Sequence, residues 1–171
     1  MTITSSRTAL LIMPVFLLGT VAARSADEPS GCDKFKWDIT RERAALTAPD
    51  RIPLASGATF SGAPAAAVTL ALRSLAEAAL PSAPERAPKD GSFAGYVQFA
   101  GAPRAGLATI SLSAGAWVDV VQDAHILKPK AFSGATDCDG IRKTMTYELS
   151  AAPFVLQVSG SKENSIAILP S

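Results

Sequence analysis

The chain has 171 residues, room for one domain and seldom for two, with charged residues at 18% and a formal net charge of +1. That balance excludes the basic stripe a nucleic acid requires, and with it any acidic tail or polybasic membrane patch. Apolar residues reach 48%, enough for a core, although much of that fraction is alanine, which fills little volume.

Residues 1–23 have the anatomy of a secretory signal peptide. Arg7 supplies a positive start, Ala9 to Leu18 form an apolar run, Gly19 and Thr20 break it, and Val21-Ala22-Ala23 places small residues at the −3 and −1 positions. The run falls short of the roughly 20 residues that span a bilayer. Cleavage after Ala23 is therefore expected, with no transmembrane segment after cleavage and a periplasmic or secreted location. Glu28-Pro29-Ser30-Gly31 ahead of Cys32 is not a lipoprotein attachment context. Residues 24–31 are polar and expected to be flexible, with a single domain over 32–171.

Two cysteines, Cys32 and Cys138, follow the leader. An even count in an exported chain favours a disulfide, with two buried thiols as the rival reading. A catalytic thiol is disfavoured, because His125 is the single histidine and no Cys-x-x-Cys is present.

Residues 32–39 alternate, with Phe35, Trp37 and Ile39 on one face and Lys34, Lys36 and Asp38 on the other, the period of a half-buried strand. Thr40 to Leu46 fits a short helix with Thr40 as its N-cap. Residues 47–65 read as loop, with turns at Ser56-Gly57 and Ser61-Gly62. Residues 66–80 match both a helix and a strand period; the run of short strands beyond them tips the expectation to strand. Pro81, Pro84 and Pro88 make 81–91 irregular or an edge.

From residue 92 short runs bounded by turn residues follow one another: Ser92 to Phe99, Gly106 to Leu112, Ala116 to Gln122, Arg142 to Leu149, Phe154 to Ser159 and Ser165 to Leu169. Inward sets are Val118 and Val120; Met145, Tyr147 and Leu149; Phe154, Leu156 and Val158; and Ile166 and Ile168. Gln157 and Glu148 should face out. Residues 128–141 read as one long connection carrying Cys138. The fold class implied is mainly β, a small antiparallel β-sandwich of jelly-roll or Greek-key-like layout.

Cys32-Asp33-Lys34-Phe35-Lys36-Trp37, Trp117-Val118-Asp119-Val120-Val121 and Cys138-Asp139-Gly140-Ile141-Arg142-Lys143 resemble segments of a group of small exported proteobacterial proteins of unassigned function. The resemblance spans most of the chain after the leader and implies export, but no activity. In layout the second half also looks like the sandwich modules that follow secreted peptidase domains, an analogy of fold alone.

Candidate sites are few. If Val118 and Val120 point inward, Trp117 and Asp119 share the opposite face, an aromatic platform beside a carboxylate of the kind a sugar uses; a Trp packed under a covering loop reads the same way. Trp37 is a second possible platform. Arg142, with Lys143, offers a fork for an anion or a structural ion pair with Asp139 or Glu148. Asp137 and Asp139, with Asp119 and Asp123 nearby in sequence, are a fragment of an oxygen-ligand set for Ca²⁺ and lack an EF-hand pattern, so no metal or other cofactor is assigned. A non-haem iron site needs about two histidines and a carboxylate, and His125 stands alone. No Gly-x-Ser-x-Gly elbow presents a nucleophile, so no catalytic residues are assigned.

The expectation is thus an exported accessory or binding module without catalytic activity. Its partner class would be a carbohydrate or an envelope protein, and not nucleic acid. A structural or partner-binding envelope protein is the alternative, with the alanine- and proline-rich 55–90 segment as its surface, and a small hydrolase using His125 stands third.

Overall fold

The structure is a computed structural model that describes residues 28–171 apart from 63, 65 and 103. The expected signal peptide and residues 24–27 lie outside the described residues.

A 3-10 turn, Cys32–Lys34, leads to the helix α1, Thr40–Thr47. Among the described residues twelve strands follow: β1 Ile52–Ala55, β2 Thr59–Phe60, β3 Val68–Ala71, β4 Arg73–Ser74, β5 Phe93–Phe99, β6 Gly106–Leu112, β7 Trp117–Gln122, β8 His125–Leu127, β9 Ala131–Gly134, β10 Lys143–Leu149, β11 Phe154–Ser161 and β12 Ser165–Pro170. They build two six-stranded sheets. The first runs β1-β3-β12-β6-β10-β9; the second runs β2-β5-β11-β7-β8, with β4 also paired to β5. The protein is mainly β, as expected.

The sheets are mixed rather than purely antiparallel, because β1 pairs parallel to β3 and β2 parallel to β5. The cause is a crossing at Ser56-Gly57. There the chain leaves the first sheet and enters the second, helped by the positive φ of Gly57 (91°) and a hydrogen bond from its N–H to the Tyr96 carbonyl. Each short strand is thereby laid at the edge of its sheet beside a neighbour running the same way.

The alternating runs become strands where their inward side chains meet across the two sheets. Leu70, Leu112, Tyr147 and Ile168 from the first sheet join Val120 and Leu156 from the second in one apolar cluster. Phe99 and Phe154, opposite one another on β5 and β11, stack with ring centroids 4.7 Å apart. A bulge in β11 between Val158 and Ser161 is turned by Gly160, whose φ is 72°.

Residues 32–39 do not form the expected strand. Their burial does alternate, Phe35 and Trp37 half-buried and Ile39 buried against exposed Lys34, Lys36 and Asp38, but no strand pairs with them. The disulfide between Cys32 and Cys138 holds their start, and α1 begins directly after them. They pack instead, with Leu46, Ile141 and Leu169, into a second small apolar cluster against the outer side of the first sheet. Thr40 is the first helical residue rather than the cap. Asp38 takes the capping role, its Oδ1 accepting from Thr40 N (3.0 Å) and Thr40 Oγ1 (2.6 Å), which holds its carboxyl below the usual carboxylate range.

Residues 66–80 carry the strands β3 and β4, so period two prevails over helix propensity there. The 47–65 loop hides β1 and β2, and the 128–141 connection hides β9, all too short to show a period. Residues 28–31, expected to be flexible, are docked from their described start: Gly31 N–H donates to the Thr136 carbonyl (2.8 Å), and Thr136 N–H to the Pro29 carbonyl (2.7 Å). Among the described residues no helix is long and apolar enough to cross a membrane.

Candidate functional site

Val118 and Val120 do face the core, and Trp117 and Asp119 share the opposite face of β7. That face is covered. Residues 75–91 cross it as a strap, and Asp119 is left only 2% exposed. Its Oδ1 accepts from Trp117 Nε1 at 2.7 Å, and its Oδ2 accepts from Gln157 Nε2 at 3.1 Å and from the Glu85 backbone N–H at 3.3 Å. Gln157 also donates to the Ser82 carbonyl (3.1 Å), and the Arg86 guanidinium lies 5.7 Å from the centre of the Trp117 ring. Lys128 pairs with Glu85 from the far side of the strap. Gln157 thus points away from the core as expected but is buried, not solvated. The groups a sugar would use are already engaged by the strap, and this arrangement fastens 75–91 to the second sheet.

Arg142 pairs with Glu28, neither with Asp139 nor with Glu148, whose partner is Lys130 at 2.8 Å. Lys143 turns its ammonium to the Ala116 carbonyl; burial, with Arg142 beside it, pushes that ammonium down to about 8. The Asp137 carboxylate accepts from Ser30 Oγ at 2.6 Å, while the Asp139 carbonyl accepts from Arg43 Nε at 2.7 Å. Among the described residues no three His, Cys, Asp or Glu side chains come together in a way that fits a metal ion. His125 is exposed at the start of β8, opposite Gln122.

Two concavities stand out among the described residues. The larger, about 780 Å³, is an open cleft between α1 and the 32–39 segment, with Trp37 in its wall. Three of its charged groups are committed to the fold: Asp33 to Lys34, Asp38 to the helix start, Arg43 to the Asp139 carbonyl. The smaller, about 430 Å³, is more enclosed and lies where strands of both sheets end. Phe99 and Phe154 of the second sheet and Ile110 and Leu149 of the first back it from the core, all of them buried. Gly101, Ala102 and Ala108 add little side-chain volume to its lining. Leu107 sits at this pocket 72% exposed, one of two large apolar side chains so exposed among the described residues, the other being Phe132. Among the described lining residues Arg104 carries the one charged side chain. Its volume falls within the range of small-molecule pockets.

No protein-family model matches the chain, and neither a curated protein nor a solved structure matches it.

The pocket was not anticipated residue by residue, although its ingredients were visible. Phe154 and Leu149 are correctly inward, and the alanine-rich composition signals missing volume. The missing step is the register that sets Phe154 opposite Phe99 and Met145 opposite Ile110, bringing the weakly filled positions to one end of the molecule.

Proposed function

We propose that this protein is an exported, non-catalytic binding module whose two sheets form a β-sandwich of Greek-key-like layout and hold a small apolar molecule in the pocket at one end. The observation that carries this reading is the pocket itself. It is a half-open concavity of about 430 Å³ over the ends of both sheets, backed by the buried Phe99, Phe154, Ile110 and Leu149 and edged by the exposed Leu107. A concavity of this size with a mainly apolar lining is the kind of surface that takes up small apolar molecules. Export is supported by the leader-like residues 1–23 and by the Cys32–Cys138 disulfide, a bond that persists in oxidising compartments.

The test is titration with an uncharged fluorescent naphthylamine probe. Saturable one-to-one binding by the wild type, lost in Ala108→Phe, which fills the pocket, is the expected result. Equal binding by both proteins would move the site elsewhere. The mass of the chain recovered from the cell envelope tests export separately, and that mass should match residues 24–171 less two hydrogens.

The alternative of a structural envelope protein finds less support. The 55–90 segment that was to be its apolar surface places Val68 and Leu70 in the core and Ala78 under cover.

A further inference from the structure

We infer that the open cleft between α1 and the 32–39 segment is a saccharide-binding site, with a sugar ring laid against Phe35 and Trp37 and its hydroxyls toward α1 and Asp139. It is separate from the pocket at the sheet ends, and neither reading depends on the other.

The two walls of the cleft differ in kind. One follows from the alternation of 32–39, which places half-buried Phe35 and Trp37 in the wall and leaves Lys34 and Lys36 exposed outside it. The other is one side of α1. Thr40, Arg43, Ala44 and Thr47 are spaced by three and four residues and so share a helix face, while Leu46, off that face, anchors the helix in the second apolar cluster. A pyranose is two-sided in the same way, with a C–H face that packs on an aromatic ring and an edge of hydroxyls that need partners.

The polar side has capacity to spare. Arg43 spends its Nε on the Asp139 carbonyl and keeps its terminal N–H groups. Thr47 donates its hydroxyl to the Arg43 carbonyl (2.9 Å), which leaves the oxygen free to accept. The Asp139 carboxylate is exposed at the cleft and forms no ion pair with a described residue. The loop that carries it is fixed in advance. The disulfide ties Cys138 to Cys32, and Gly140, with a φ of 83°, is seated so closely on Thr47 that a Cβ would clash. Three carboxylates, those of Asp33, Asp38 and Asp139, against one guanidinium disfavour a phosphate or sulfate. An acyl chain would strip the polar face of α1 of water without replacing it.

The experiment is titration of the oxidised protein with cellotetraose, chitotetraose or maltotetraose, followed by proton–nitrogen correlation spectra. The chain has two tryptophans, and the indole N–H of Trp117 is held on Asp119, so it serves as an internal control. At least one tetrasaccharide should saturably shift the Trp37 indole signal and the amides of 33–47 and 138–140, with the Trp117 indole unmoved. Asp139→Asn should weaken binding about three- to tenfold, as expected of one partly exposed charge-assisted hydrogen bond. Ala44→Leu, at an exposed helical position that leucine tolerates, should block the cleft and abolish the shifts. If no tetrasaccharide moves the Trp37 signal, or if Ala44→Leu binds undiminished, the assignment falls. If tetralysine moves these signals and the sugars do not, the carboxylates select a cation and the saccharide assignment is overturned. Shifts of the Trp117 indole instead would put the sugar under the strap and overturn it equally.

Discussion

Lys143 occupies the inward phase of β10, the phase of Met145, Tyr147 and Leu149, and its ammonium is held on the Ala116 carbonyl away from water. Its folded-state value of about 8 lies below the 10.5 of an unfolded lysine. Between those values the unfolded chain binds more protons than the folded one, so stability rises with pH through that window. Tyr147 acts in the opposite sense. Burial, with the charges of Asp119 and Glu85 adding to it, raises its phenol above the ordinary 10. Above pH 10 the unfolded tyrosine ionises first, and stability falls. Urea unfolding from pH 7 to 11 should therefore show a rise from about pH 8 that turns over near pH 10. Lys143→Met should flatten the rise, worth up to about 3 kcal/mol, and Tyr147→Phe should flatten the fall. The phase of Lys143 was readable from the alternation of β10. Its partner Ala116 was not, because that contact runs from β10 of the first sheet to the residue ahead of β7 in the second, and no strand pairing relates the two.

The strap of residues 75–91 has an irregular backbone and is held by polar side chains. Pro81, Pro84 and Pro88 bar it from a sheet ladder, so side chains of β7 and β11 hold it through Asp119 and Gln157. Asp119→Ala removes the acceptor of three donors at once, and should cost about 2–4 kcal/mol. It should also speed tryptic cleavage after Arg86 and Lys89, both exposed on the strap, with little change elsewhere in the digest. Strands such as β6 and β10 were legible because several alternating residues and turn signals agreed. β1, β2, β8 and β9 were not, since two to four residues cannot establish a period. Residues 32–39 mislead in the other direction. Alternating burial arises there from a segment clamped between a disulfide and a helix, without any strand partner. For Trp117 and Asp119 the face was readable and the cover was not, because nothing local to the proline-rich segment says where it lies.

For the molecule as a whole, the disulfide joins two parts that the sheets do not. Cys32 precedes every strand, and Cys138 lies in the loop between β9 and β10, 106 residues on. Removing the bond through Cys32→Ser with Cys138→Ser should cost about 2–5 kcal/mol. The loss should be uneven. Hydrogen exchange should quicken in residues 28–47 and 135–141, where the small second cluster leans on the bond, while β5, β7 and β11 keep their protection. The same bond also constrains how the chain can be assembled. With two cysteines in the sequence there is one intrachain pairing and no wrong one. The protein needs an oxidant to mature but never a disulfide isomerase. The misstep open to it is a bond between two chains, a hazard that grows with concentration while the first thiol waits for more than a hundred residues to bring it its partner.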